Sequence, residues 1–151
     1  MALSDRLATF CTNFDQDLEA GTALATNQYD LGASGRDPGN GQPLYLNVAV
    51  DETFTDGGDS ATLEIRLVSD DTASIHASTS TLHLSSGTFL KAALTAGVKM
   101  SFPIPTQGKA YERYLGVNLV TATAGFDAGE LTIWLGFEPV ASVKLYPDAQ
   151  N

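Results

Sequence analysis

Leu44-Tyr45-Leu46-Asn47-Val48-Ala49-Val50 is the stretch that decides the fold. Leu44, Leu46, Val48 and Val50 recur at every second position. Successive side chains of a strand point to opposite faces, so this spacing puts four aliphatic side chains on one face, against a core. A helix would need spacings of three and four. The alternation returns in Thr62-Leu63-Glu64-Ile65-Arg66-Leu67, where Leu63, Ile65 and Leu67 oppose Glu64 and Arg66. Val98, Met100, Phe102 and Ile104 repeat it, as do Leu115, Val117 and Leu119. Leu131, Ile133, Leu135 and Phe137 form the last such face, alternating with Thr132, Trp134 and Gly136.

Turn clusters separate these runs: Gly32-Ala33-Ser34-Gly35, Asp37-Pro38-Gly39-Asn40-Gly41, Asp56-Gly57-Gly58-Asp59, Ala96-Gly97 and Ala124-Gly125. Glycine and asparagine adopt positive φ at little cost and proline fixes the turn entry, so strand pairing breaks at each cluster. Shorter candidates are Tyr29-Asp30-Leu31, Thr79 to Leu84 and Ser142 to Tyr146. The total, about eight strands, fits two packed antiparallel sheets. Periodicity does not separate a jelly roll from an immunoglobulin-like sandwich, although the chain lacks the Cys…Trp…Cys spacing of true immunoglobulin domains. The pattern divides the chain into an N-terminal arm at 1–28, a β-sandwich at 29–146 and a tail at 147–151. In the arm, Leu7, Phe10, Phe14 and Leu18 are spaced by three and four, which predicts a short helical stretch. The arm either pads the sandwich or reaches a partner.

The chain has 151 residues, the length of about one domain. Eight Lys and Arg against eighteen Asp and Glu give a net charge of −10. Such a surface disfavours nucleic acid, whose phosphates need clustered cations, and it equally disfavours an anionic membrane. Cys11 is the single cysteine, so there is no disulfide within the chain. Met1 to Leu7 carries no apolar run of signal-peptide length, and no stretch approaches the ~18 apolar residues that cross a bilayer. The expectation is a soluble protein made in the cytoplasm.

Residues that carry chemistry are scarce. His76 and His83 are seven apart, so on one regular strand they face opposite ways, and no metal site is expected. Asp51, Glu52, Asp56 and Asp59 line a glycine-bearing loop that could gather oxygen ligands for calcium, yet the EF-hand spacing is absent and a solvated hairpin tip is the plainer reading. Gly32-Ala33-Ser34-Gly35 lacks the spacing of a nucleophile elbow. Gly39-Asn40-Gly41 runs into Gln42-Pro43, not into a helix-opening third glycine. The residues therefore predict neither an enzyme nor a cofactor protein. Aromatics in the outward phase stand out instead, since Trp, Tyr and Arg are enriched among interface anchors. Trp134 and Tyr45 hold such positions, and an open Trp134 would also suit a sugar ring.

A wider set of residues resembles a known family. It begins with Tyr29-Asp30-Leu31-Gly32 and Gly39-Asn40-Gly41-Gln42-Pro43-Leu44-Tyr45-Leu46, continued by Val48, Val50 and Asp51. Ser60-Ala61-Thr62-Leu63, Ser69-Asp70-Asp71, Leu94 with Ala96-Gly97, Tyr111 with Arg113-Tyr114-Leu115, and Phe126 with Ala128-Gly129 follow in order. This set, over residues 29–137, resembles the Bbp16-like cement (decoration) proteins of tailed bacteriophages. The resemblance implies a jelly roll on the outer surface of an icosahedral head, bridging neighbouring major capsid proteins. It also implies a homodimer or homotrimer with no catalytic residues, placed on the virion after synthesis in the host bacterial cytoplasm. Phe10, Phe14, Tyr45, Tyr111, Arg113, Tyr114 and Trp134 are the candidate interface residues. The alternative is a carbohydrate-binding or receptor-adhesion jelly roll, which requires Trp134 in an open groove.

Overall fold

A computed structural model describes residues 9–15, 19–33, 37–39 and 41–140. Among the described residues, nine strands run in chain order as β1 (Thr9–Asp15), β2 (Gly21–Leu24), β3 (Tyr29–Asp30), β4 (Tyr45–Thr55), β5 (Thr62–Asp70), β6 (Thr81–Leu90), β7 (Lys99–Pro103), β8 (Tyr114–Ala122) and β9 (Ala128–Gly136). One sheet has the order β1-β9-β4-β7; the other has β2-β8-β5-β6, with β3 also on β8. Every pairing is antiparallel.

These orders amount to one long folded ribbon. β5 pairs with β6 at its closed end, then β4 with β7, then β2 and β3 with β8, then β1 with β9. Successive levels of the ribbon alternate between the sheets, which is the winding of a jelly roll. Because β2 and β3 share β8, nine strands fill the eight positions of that architecture. The topology decides between jelly roll and immunoglobulin-like sandwich, which periodicity left open.

The alternating faces meet between the sheets. Leu46, Val48 and Val50 of β4 and Leu131 and Ile133 of β9 pack in one core with Leu63, Ile65 and Leu67 of β5 and Leu115, Val117 and Leu119 of β8. Burying an aliphatic side chain of this size stabilises by roughly 1.5–3 kcal/mol, so these central strands dominate the fold. β7 supplies Met100 and Phe102 as partly buried cover.

Three expectations are corrected. The helical reading of residues 7–18 fails where the chain is described, because Thr9–Asp15 is a strand on β9. Phe10 and Phe14 share a face by an even spacing, which a strand satisfies as well as a helix. The register slips between Thr9 and Cys11 and again between Cys11 and Phe14, with Asn13 at φ 45°, so Cys11 also turns inward. Residues 9–15 and 21–24 are thus strands of the two sheets, and the sandwich begins well before residue 29. Phe137 was expected on the core face of its strand; β9 ends at Gly136, and Phe137 is 61% exposed. The strand candidate Ser142 to Tyr146 and the tail at 147–151 lie outside the described residues.

Candidate functional site

At one corner, the short strand β3 brings Asp30 beside Arg113, which enters β8. Arg113 Nε donates to Asp30 Oδ1 at 2.9 Å and Nη2 to Oδ2 at 2.8 Å, a bidentate fork. The guanidinium also lies 5.0 Å from the centroid of the Tyr114 ring. Asp30 Oδ1 accepts the Gly32 N–H at 2.8 Å as well. The Arg113 hydrogen bond, followed by the one from Gly32, holds the Asp30 carboxyl down at about 2. Both charged side chains remain nearly half exposed, so this corner is a preformed polar surface.

A second cluster has the ingredients of nucleophilic chemistry in the wrong order. Ser69 Oγ lies 2.7 Å from His83 Nε2, accepts the Glu112 N–H at 3.0 Å and donates to Glu112 Oε2 at 3.3 Å. The His83 ring stacks on Tyr111 at 3.9 Å. A catalytic serine needs an approachable hydroxyl and a base oriented through its other nitrogen. Ser69 is 0% exposed, and Glu112 reaches the serine instead of the imidazole. Burial, and then the charge of Lys109, lowers the His83 pKa. Tyr111 donates to Pro105 O at 2.7 Å, and burial followed by Asp37 pushes its phenol up to about 12. These contacts fasten the β7–β8 connection onto β5 and β6.

The acidic loop is likewise tied to its own chain. The Asp56 carboxylate accepts the N–H groups of Asp59, Ser60 and Ala61 at 2.9, 2.9 and 2.6 Å. Lys91 Nζ lies 3.3 Å from Asp56 Oδ1, donates to Asp56 O at 3.2 Å and also contacts Asp59. The Ala61 hydrogen bond is the leading cause of the lowered Asp56 pKa. A lysine and backbone amides thus occupy the carboxylate that a calcium site would need. Among the described residues, no three His, Cys, Asp or Glu side chains gather into a metal site. Cys11 sits 3.9 Å from Leu131 O, and burial raises its thiol to about 12.

The outer face of the four-stranded sheet holds Trp134 and Asn47, which are cross-strand partners. Asn47 is 0% and Trp134 8% exposed, although neither belongs to the core between the sheets. Asn47 Nδ2 donates to Glu138 O at 3.0 Å, and its Oδ1 accepts from Ser101 Oγ at 2.7 Å and from Val140 N at 3.1 Å. The chain leaving β9 is therefore laid back over the sheet. Gly136 allows the close approach, since a Cβ there would come within 2.9 Å of Asn47 Nδ2.

The seven interface candidates divide accordingly. Phe10, Tyr111 and Trp134 are buried within the monomer and offer no free anchor; Phe14 packs partly against the core. Tyr45 and Tyr114 are half-buried and Arg113 is exposed. Only Arg113 and Tyr114 are drawn together with a further polar partner, Asp30. Trp134, at 8% exposure, does not hold the open position that the glycan-binding alternative requires of it. Sequence reading missed the Ser69–His83–Glu112 cluster and the Asp56–Lys91 tie. Asn47 carried a usable signal, as an amide inside an aliphatic strand.

The strand order and closed core define the class, a jelly-roll β-sandwich whose described polar clusters fasten its own loops. The chain belongs to the Bbp16 family, a phage-related family whose model matches residues 16–135, most of its length. No curated protein matches it.

Proposed function

We propose that this protein is a non-enzymatic capsid cement protein. It binds the outer surface of an icosahedral phage head as a homodimer or homotrimer and bridges neighbouring major capsid proteins. Its membership of the Bbp16 family over residues 16–135 carries this reading. The physical character of the domain supports it. A sandwich pinned by a continuous core is stiff, so it can join two subunits without absorbing their relative motion. A stable protein contact buries about 1,600 Å², and repetition over a symmetric shell multiplies a modest local gain. The net charge of −10 keeps free copies apart before assembly and suits the outside of the shell better than packaged DNA. The Asp30–Arg113–Tyr114 corner, preformed and exposed, is the contact to test first.

Co-sedimentation with assembled heads lacking the protein is the direct experiment. Binding at a fixed copy number per shell is expected, and Arg113→Ala should weaken it while leaving the free domain folded. Heads that never retain the protein would overturn the proposal.

A further inference from the structure

The sheet of β2, β8, β5 and β6 turns one face to the core and the other to solvent. Along β5, Glu64 and Arg66 point outward, alternating with the buried Leu63, Ile65 and Leu67. The register carries this outward phase onto β6, where Leu90 stands level with Thr62 and Leu82 with Val68. The two leucines are 57% and 44% exposed, so apolar surface lies open at both ends of the strand. Among the described residues between the levels of Thr62 and Val68, Glu64 and Arg66 are the only ionisable side chains on this face. Arg66 Nη2 donates to Glu64 Oε2 at 2.8 Å, and the arginine side chain remains 37% exposed. A chain of net charge −10 thus carries one sheet face with no net charge.

The pattern on this face is symmetric about Ile65. Glu64 and Arg66 lie one residue to either side of it, and the levels of Leu90 and Leu82 lie three residues to either side. A two-fold axis in the plane of the face, crossing the strands at Ile65, keeps β6 over β6 and reverses its direction. It sets Arg66 over the partner's Glu64 and Leu90 over the partner's Leu82, with the reciprocal contacts that an isologous interface requires. The loop bearing Ile75 rises over Gly116, level with Val68, where a Cβ would come 2.5 Å from Ile75 Cδ1. The same rotation brings that loop over Ala122, level with Thr62 and the smallest side chain of its row.

We propose that this face joins two copies of the chain around that two-fold axis, a reading that rests on the homo-oligomer proposed above and selects the dimer. Opposite charges meet on β5 and apolar side chains on β6, so two acidic copies touch where neither repels the other. Strands about 4.8 Å apart, rising about 3.4 Å per residue, give a patch of about 400 Å² in projection on each copy. A standard contact takes about 800 Å² from each partner, so the dimer should be reversible and concentration-dependent.

Analytical ultracentrifugation of the full-length protein over a range of concentrations, with no capsid present, reads the association. The wild type should pass from monomer to dimer as concentration rises. Glu64→Arg and Arg66→Glu should each raise the dissociation constant by about tenfold or more, because like charges then face each other. Mixed in equal amounts, the two variants should associate again, since each arginine of one meets a glutamate of the other. A wild type that stays monomeric or forms a trimer, a charge reversal without effect, or a mixture no tighter than its components overturns the proposal. Leu90→Asp, at an exposed position, covers the case in which a charge variant does not fold; it should weaken the dimer, and wild-type association would overturn the proposal equally. Head binding is scored apart. A protein that stays monomeric yet sediments with heads overturns the dimer and leaves the cement reading standing, whereas a dimer that dissociates as expected but never binds heads does the reverse.

Discussion

Gly129→Ala is the sharpest test of how the sandwich is packed. Gly129 lies in β9 at φ 146°, a region L-residues avoid, and the Phe54 ring rests directly on it. A Cβ would stand 2.5, 2.7 and 2.8 Å from three ring carbons of Phe54. That ring cannot retreat easily, being 2% exposed and edge-on to Phe126 at 4.9 Å. Overpacking a core costs about 1–3 kcal/mol and a forced backbone conformation another ~1–3 kcal/mol. The combined loss, about 2–6 kcal/mol, is a large share of the ~5–15 kcal/mol that holds a domain folded. At about 2–4 °C per kcal/mol for a domain of this size, a loss near ~4 kcal/mol lowers Tm by about 8–16 °C. Urea and thermal unfolding of the variant beside wild type measure it. Gly58→Ala is the control, because its Cβ would meet only Ser60 Oγ, at an ordinary 3.6 Å. Repeating Gly129→Ala in a Phe54→Ala background should recover part of the loss, since the double-mutant cycle isolates the clash. A Gly129→Ala loss within about 0.5 kcal/mol, the range of an inert surface change, would refute the packing argument.

Three further outcomes follow from the ionisable groups. Asp30, held at about 2 by Arg113, stabilises the fold fully above the unfolded carboxyl value of about 4 and ceases to as the pH falls through about 2. Acid unfolding of Asp30→Asn should therefore lack one proton's dependence across that window; an unchanged acid transition contradicts the pairing. His83 is lowered by burial, so its unfolded form takes up the proton first and stability should decline as the pH drops below about 6.5. Denaturation midpoints of wild type and His83→Phe, compared between neutral and mildly acidic buffer, should diverge, and parallel curves would remove His83 from the account. Cys11, buried with its thiol near 12, should resist alkylation at pH 8 until urea unfolds the chain. Rapid labelling of the folded protein would show that β1 does not stay on β9.

The sheets were legible because the aliphatic stretches of their central strands obey period two, and the register shifts of β4 fall after Val50. Leu63, Ile65 and Leu67 point inward as their alternation with Glu64 and Arg66 requires, and the buried aliphatics of β4, β8 and β9 do the same. Residues 9–15 were not legible for a physical reason. Four is an even number, so Phe10 and Phe14 fit a helix and a strand alike, and the register slips around Phe10 and Asn13 bring Cys11 inward as well. The polar contacts resisted prediction because they join distant parts of the chain. Asp30 meets Arg113 across 83 residues, and Ser69 meets Glu112 across 43. Outward phase also proved an incomplete guide to exposure. Trp134 points away from the core as its alternation demands, yet it is only 8% exposed. Strand order, invisible to periodicity, came only from the pairings.

The central claim concerns the capsid, and the most direct measurement is the stability of the shell with and without this protein. Heads assembled without it and heads to which purified protein has been added back should be heated, and separately diluted into low salt, with intact particles counted by electron microscopy. Add-back should raise the temperature at which shells rupture, saturate at a fixed stoichiometry, and leave density on the outer surface across capsid-protein joints. Equal survival of the two populations, with no added density outside the shell, would contradict it.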